Sequence, residues 1–267
     1  MPPAGMAATD EEAATAMCTT GHQRMTSVLL CCGAVAGPWF LVVVALQEAT
    51  RTGFDPGRHP LSLLSLGGLG WLQVTNFVVT GLLNLAFAAG LRRRRMRAGA
   101  LPLAGHGFGL IVAGVFVRDP GNGYPPGIPA PVAASWHHVL HGAGAVLAFG
   151  SLIGACAVFA RRFAVRGNRG WAGYCGGTGV ALAALLAATR APALESPALH
   201  LAAVAGWLWA SALAAYFLVS LRDLPTEMGN SVSRNGELAR PERGTRVSEC
   251  VTRAAAQCER TNSWPDR

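Results

Sequence analysis

Long apolar runs alternate with short polar connections over most of the chain. A helix needs about 20 mainly apolar residues to cross the hydrocarbon core of a bilayer. Six runs meet that length, over 28–46, 71–91, 101–117, 139–160, 171–189 and 199–221. The third is short. Gly105, Gly107, Gly109 and Gly114 make it narrow, so neighbouring helices can approach it closely. The second run is not uniformly apolar. Gln73, Asn76, Thr80 and Asn84 are spaced three, four and four residues apart and fall on one helix face. Such groups avoid lipid and serve either as interhelical hydrogen-bonding packing or as a polar pathway. The pattern predicts an all-α protein: a polytopic membrane domain over 28–221, built as a six-transmembrane-helix bundle. Polar segments flank it at 1–27 and 222–267, both expected to be disordered.

Charge placement orients this bundle. Arg92, Arg93, Arg94, Arg95 and Arg97 sit between the second and third runs, and Arg161, Arg162, Arg166 and Arg169 between the fourth and fifth. The other connections are poor in arginine: Arg51 and Arg58, then Arg118, then Arg190. By the positive-inside rule the rich connections face the cytoplasm. With an even number of spans, both termini are then cytoplasmic, and the expected location is the inner (plasma) membrane of a bacterial cell. Asp10, Glu11 and Glu12 precede Arg24, which suits a retained first helix better than a cleaved signal peptide.

Composition agrees. Apolar residues make up 51% of the chain and charged residues only 13%, against about 25% charged in typical soluble chains. All 22 basic side chains are arginine. The net charge of +8 does not point to nucleic acid, because the arginines bunch between apolar runs. The seven cysteines show no CxxC spacing, so neither a disulfide framework nor a thiolate zinc site is expected. GxSxG, Walker, GxGxxG and CxxCH motifs are missing.

The arginine-poor connections carry the chemistry. The first holds Asp55 and His59 in a turn-forming stretch. It continues as LSLLSLGGLG, apolar enough to lie on the membrane surface or fold back between helices. The second, 118–135, contains five prolines and Tyr124, and reads as a rigid lid whose tyrosine can anchor at the headgroup level, as can Trp136. His137, His138 and His141 follow at the start of the fourth run. His137 and His141 share a helix face. His59, Asp119, His137 and His141 would together suit a zinc ion in a catalytic arrangement, with Asp119 and His137 as the catalytic pair. The same groups suit a proton-linked network, or simply close a helix end. HHxxH is not HExxH, and no glutamate follows the first histidine as a base. Asp119 has a structural reading as well, pairing with Arg118 or accepting turn hydrogen bonds. His106 reads as a satisfied packing histidine at the depth of Asn84. The 48-EATR-51 and 195-ES-196 groups read as isolated and solvated.

Three motifs in order, FDPGRHPLSLLSLGGLGWLQVTNFVVTGLL, GVFVRDPGNGYPPG and HHVLHG, resemble the DUF998 family of six-helix integral membrane proteins. The resemblance runs from about 28 to 221 and implies six spans. It implies no mechanism, since the family's function is unknown. Asp55, His59, Asn76, Asp119, Tyr124, His137 and His141 all lie in the resembling segments. Three functions fit these residues. The first is binding of a lipid or small molecule at the extracytoplasmic side, with Gln73, Asn76, Asn84 and Tyr124 as ligand-binding or packing groups. The second is a metal-dependent hydrolase of lipid or amide bonds. The third is a small permease. Enzyme status is left open between them. The bilayer is the one partner the pattern requires.

Overall fold

A computed structural model describes residues 4–222, with side chains from Gln23 to Leu221. It contains six α-helices: α1 (Ala4–Thr50), α2 (Gly70–Arg93), α3 (Arg97–Val115), α4 (Trp136–Val165), α5 (Arg169–Ala188) and α6 (Glu195–Arg222). Each includes a stretch long and apolar enough to cross a membrane. Helices are the natural solution here, because a lipid-exposed backbone must satisfy its own N–H and C=O groups. The expectations for residues 1–3 and for the tail from 223 onward lie outside the described residues. From Ala4 the alanine-rich leader is continuous with α1, in keeping with alanine's helix propensity.

Each helix packs on the next in sequence, and α6 returns to α1. The six therefore close into a ring. The glycines of α3 let it approach both neighbours. A Cβ on Gly107 would lie 2.6 Å from the Gly81 carbonyl of α2, and one on Gly109 would lie 2.5 Å from the Ala148 nitrogen of α4. No larger side chain fits either crossing.

The ring has two chemically distinct ends. The arginine end carries the α2–α3 and α4–α5 connections. There Phe159, Phe163 and Phe217 pack with centroids 5.8–6.5 Å apart, in a core that also holds Leu91, Leu103 and Trp209. The histidine end carries the other three connections. Its core joins Phe40, Phe77 and Trp207 to Leu61 and Leu64. The LSLLS run there is a short 3₁₀ helix, Leu61–Ser65, with all five residues buried. It folds back into the bundle and does not lie on the membrane surface.

That fold-back has an identifiable anchor. The Arg51 guanidinium donates to the Leu66 and Leu64 carbonyls, each at 3.0 Å, and to the Leu69 carbonyl. The Leu64 and Leu66 carbonyls, at and beyond the end of the 3₁₀ turn, are thereby satisfied. The 48-EATR-51 group is thus not solvated: Glu48 also accepts from His200 Nε2 at 2.7 Å. Nor is 195-ES-196. Glu195 pairs with Arg118 at 3.0 Å, and buried Ser196 donates to the Pro56 carbonyl at 2.7 Å. Sequence alone offers no local pattern for pairs so far apart in the chain.

Candidate functional site

The histidine end is built from carbonyls and caps. α4 begins at Trp136 with Ser135 as its N-cap, whose hydroxyl accepts from the His138 N–H at 3.2 Å. Asp119 holds that cap. Its carboxylate accepts the Ser135 hydroxyl at 2.6 Å and the Ser135 N–H at 2.7 Å. These two bonds, the hydroxyl first, hold the Asp119 carboxyl below its usual range. Asp119 therefore accepts hydrogen bonds, as one sequence reading had it. Its expected alternative partner, Arg118, pairs with Glu195 instead.

His59 is buried between the first two connections of this end. Its Nδ1 accepts from the Asp55 N–H at 2.8 Å, which fixes the proton on Nε2, and Nε2 donates to the Asn122 carbonyl at 3.1 Å. Its ring packs 5.5 Å from Phe54 and 5.4 Å from Tyr124. Tyr124 is buried in this aromatic cluster, so its ring is covered by protein and not presented to lipid headgroups. Trp136, in contrast, is 63% exposed, and the His137 ring lies against it, tilted, with centroids 3.8 Å apart.

His141 points the other way. Its Nδ1 donates to the Ala113 carbonyl at 2.8 Å and the Phe116 carbonyl at 3.0 Å. These belong to the end of α3, where carbonyls lack helical partners. His106, in the middle of α3, repeats the device: its Nδ1 donates to the Ala148 carbonyl of α4 at 3.0 Å. A carbonyl can only accept, so each neutral ring carries its proton on Nδ1. Each Nε2 is then a lone-pair acceptor, and among the described residues no hydrogen bond reaches either one.

Both histidines line one partly open cavity of about 250 Å³. α1, α2, α3, α4 and α6 contribute to its wall, and α5 does not. At the histidine end it meets His138 and the Arg118–Glu195 pair; in the interior it reaches Leu152, Gly206 and Trp207. His138 and Leu152 are separated by 14 helical positions, about 20 Å along the axis. The rest of the wall is mostly apolar, with Phe40, Phe77 and Phe149 the bulkiest groups besides Trp207.

The polar face of α2 lies elsewhere. Gln73, Asn76, Thr80 and Asn84 are all buried. Gln73 accepts from Gln47 at 2.8 Å and Asn76 donates to the Phe40 carbonyl at 3.3 Å, so both tie α2 to α1. Asn84 donates back to the Thr80 carbonyl of its own helix. None of these lines the cavity.

Of the residues singled out in the sequence, the structure thus brings Asp119 and His138 together, with His138 Nδ1 3.8 Å from the carboxylate. His59, His137 and His141 are engaged separately. Among the described residues, no three His, Cys, Asp or Glu side chains are grouped to hold a metal ion. The cavity-facing role of His106 and the Glu48–His200 pair were not anticipated. Matching depth on the first and last spans was the available clue for that pair.

Residues 34–216, more than half of the chain, match the family described as "Protein of unknown function (DUF998)". The chain belongs to that family. No curated protein and no solved structure matches it.

Proposed function

We propose that this DUF998 protein binds a small amphipathic molecule or a single lipid chain in its central cavity, entering from the extracytoplasmic end and leaving unchanged. One observation carries the reading: two histidines line an otherwise largely apolar cavity, and among the described residues no hydrogen bond reaches the Nε2 of either. An engineered apolar cavity of about 150 Å³ stays dry and takes up benzene. At about 250 Å³ the space suits a somewhat larger apolar group. The two acceptors favour a ligand with a hydroxyl or amide N–H over a pure hydrocarbon, because a buried unpaired donor or acceptor costs roughly 1–3 kcal/mol.

The orientation belongs to the same proposal. The arginine end carries nine arginines between 92 and 169, and the positive-inside rule assigns such loops to the cytoplasm. The histidine end then faces outward, and both termini are cytoplasmic in a multi-pass protein of the inner (plasma) membrane. The boundaries 1–27, 28–221 and 222–267 are retained as its proposed division. The hydrolase reading has no metal-holding group among the described residues behind it. For the permease reading, Gln73 and Asn76 are engaged with α1, Thr80 and Asn84 bond within α2, and none of the four lines the cavity.

The test is occupancy. Native mass spectrometry of the protein released from nanodiscs, with lipid extraction, would compare wild type with Ala145→Phe, which fills the cavity. A bound small molecule in wild type, lost from the variant, is expected. Equal retention by a folded variant would refute the reading.

A further inference from the structure

At the arginine end, the structure forms a second cleft, of about 450 Å³. Arg95 and Arg97 reach it from the start of α3, and Arg161, Arg162 and Arg166 from the end of α4. Its floor and walls are apolar, including Met96, Val158, Phe159 and Val165. Gly99 lets α3 meet Phe159 directly beneath the cleft: a Cβ there would lie 2.5 Å from the ring.

Two features separate this cluster from ordinary solvated charge. Among the described residues its lining contains no carboxylate, and the ion pairs all lie at the opposite end of the bundle. In addition, Arg162 Nε is buried with no hydrogen-bond partner among the described residues. Neighbouring Arg94 is different, since it donates to the Phe217 carbonyl at 2.9 Å and lies over the Phe217 ring. Five guanidinium groups sharing one cleft repel one another. An anion of matching shape would relieve this, and phosphate suits the planar donor fork of arginine.

Topology alone accounts for arginines on this side of the membrane. It does not require them to converge on one apolar-floored cleft. The apolar floor matters for the identity of the ligand. Val165 is 80% exposed beside the arginines, on a surface an acyl chain can cover. A free phosphate would make no use of it.

We infer that this cleft binds the phosphate headgroup of an anionic phospholipid of the adjacent leaflet, with the arginines on the phosphate and an acyl chain along Val158 and Val165. Basic pockets between transmembrane helices at the cytoplasmic side take anionic headgroups in this way. The inference does not depend on the contents of the central cavity.

The experiment titrates delipidated full-length protein with phosphatidylglycerol or phosphatidylcholine and counts bound lipid by native mass spectrometry. The key variant is Arg95→Gln/Arg161→Gln/Arg166→Gln. All three positions are exposed, so folding should be preserved, and the single Arg166→Gln variant serves if the triple one unfolds. Wild type should prefer phosphatidylglycerol. Affinity should fall roughly fivefold per arginine removed, on the order of 100-fold in the triple variant. Preference should weaken with added salt, and millimolar inorganic phosphate should compete poorly. Equal binding of the two lipids would overturn the inference, as would unchanged affinity in the folded variants. Full displacement by inorganic phosphate would overturn the lipid as the source of the anion.

Discussion

The Asp119 carboxylate accepts both the hydroxyl and the backbone N–H of Ser135, at 2.6 and 2.7 Å. One acidic side chain in a proline-rich connection thereby holds the N-cap of a 30-residue membrane helix. His138, His141 and the cavity wall on α4 all depend on where that helix begins.

Removing the cap should therefore loosen the whole histidine end. Ser135→Ala is expected to cost about 1 kcal/mol, the usual loss for an N-cap, measured by chemical denaturation in mixed micelles. An unchanged midpoint would contradict the capping account.

Asp119 gives this end a defined acid response. Its carboxyl titrates below its ordinary value of 3.8 because of the Ser135 bonds. A group depressed in the folded state contributes stability that is fully present above its unfolded pKa. That contribution is lost as pH falls through the lower folded value. Melting of wild type and Asp119→Ala should differ at pH 7, and the gap should narrow below about pH 4. A gap that stays constant to pH 2.5 would argue against the carboxylate as its source.

The histidines should separate by role. His141→Ala leaves the Ala113 and Phe116 carbonyls without their donor, a loss of about 1–3 kcal/mol. His137 is exposed and touches Trp136 only through a tilted ring contact, so His137→Ala should stay within about 0.5 kcal/mol of wild type. Comparable destabilisation by the two would show that the assigned hydrogen bonds do not matter.

Much of this architecture is readable without coordinates. Span length, the α2 polar face and the glycine-rich third span follow from apolar runs and helical periodicity alone. The cavity does not. His106 and His141 lie 35 positions apart, and only the close α3–α4 approach at Gly109 and Gly144 aims them at one space. Spacing also groups His137 with His141, yet one lies against Trp136 and the other reaches back to α3. Side-chain direction at a helix start depends on where the cap falls, and the cap is set by Asp119, 16 residues before Ser135. The Glu48–His200 and Arg118–Glu195 pairs likewise join residues with no shared motif.

The helix crossings should be intolerant of added volume. Gly109→Val places atoms against the α4 backbone at Ala148, and overpacking of this kind costs about 1–3 kcal/mol. Gly142→Ala, at a position open on that side, is the control and should be near neutral. Denaturation midpoints that rank the two variants the other way would count against the close α3–α4 contact.

A cavity lined by two imidazoles should favour a chain bearing a hydrogen-bond donor. Equilibrium binding of dodecanol and dodecane is measured on the nanodisc-embedded protein and on His106→Phe/His141→Phe. Wild type should favour the alcohol by about fivefold or more beyond its partition into empty nanodiscs, a difference near 1 kcal/mol for one net hydrogen bond, and the folded double variant should lose that preference. Saturable binding of both with no preference, or a preference that survives loss of both imidazoles, would contradict the account.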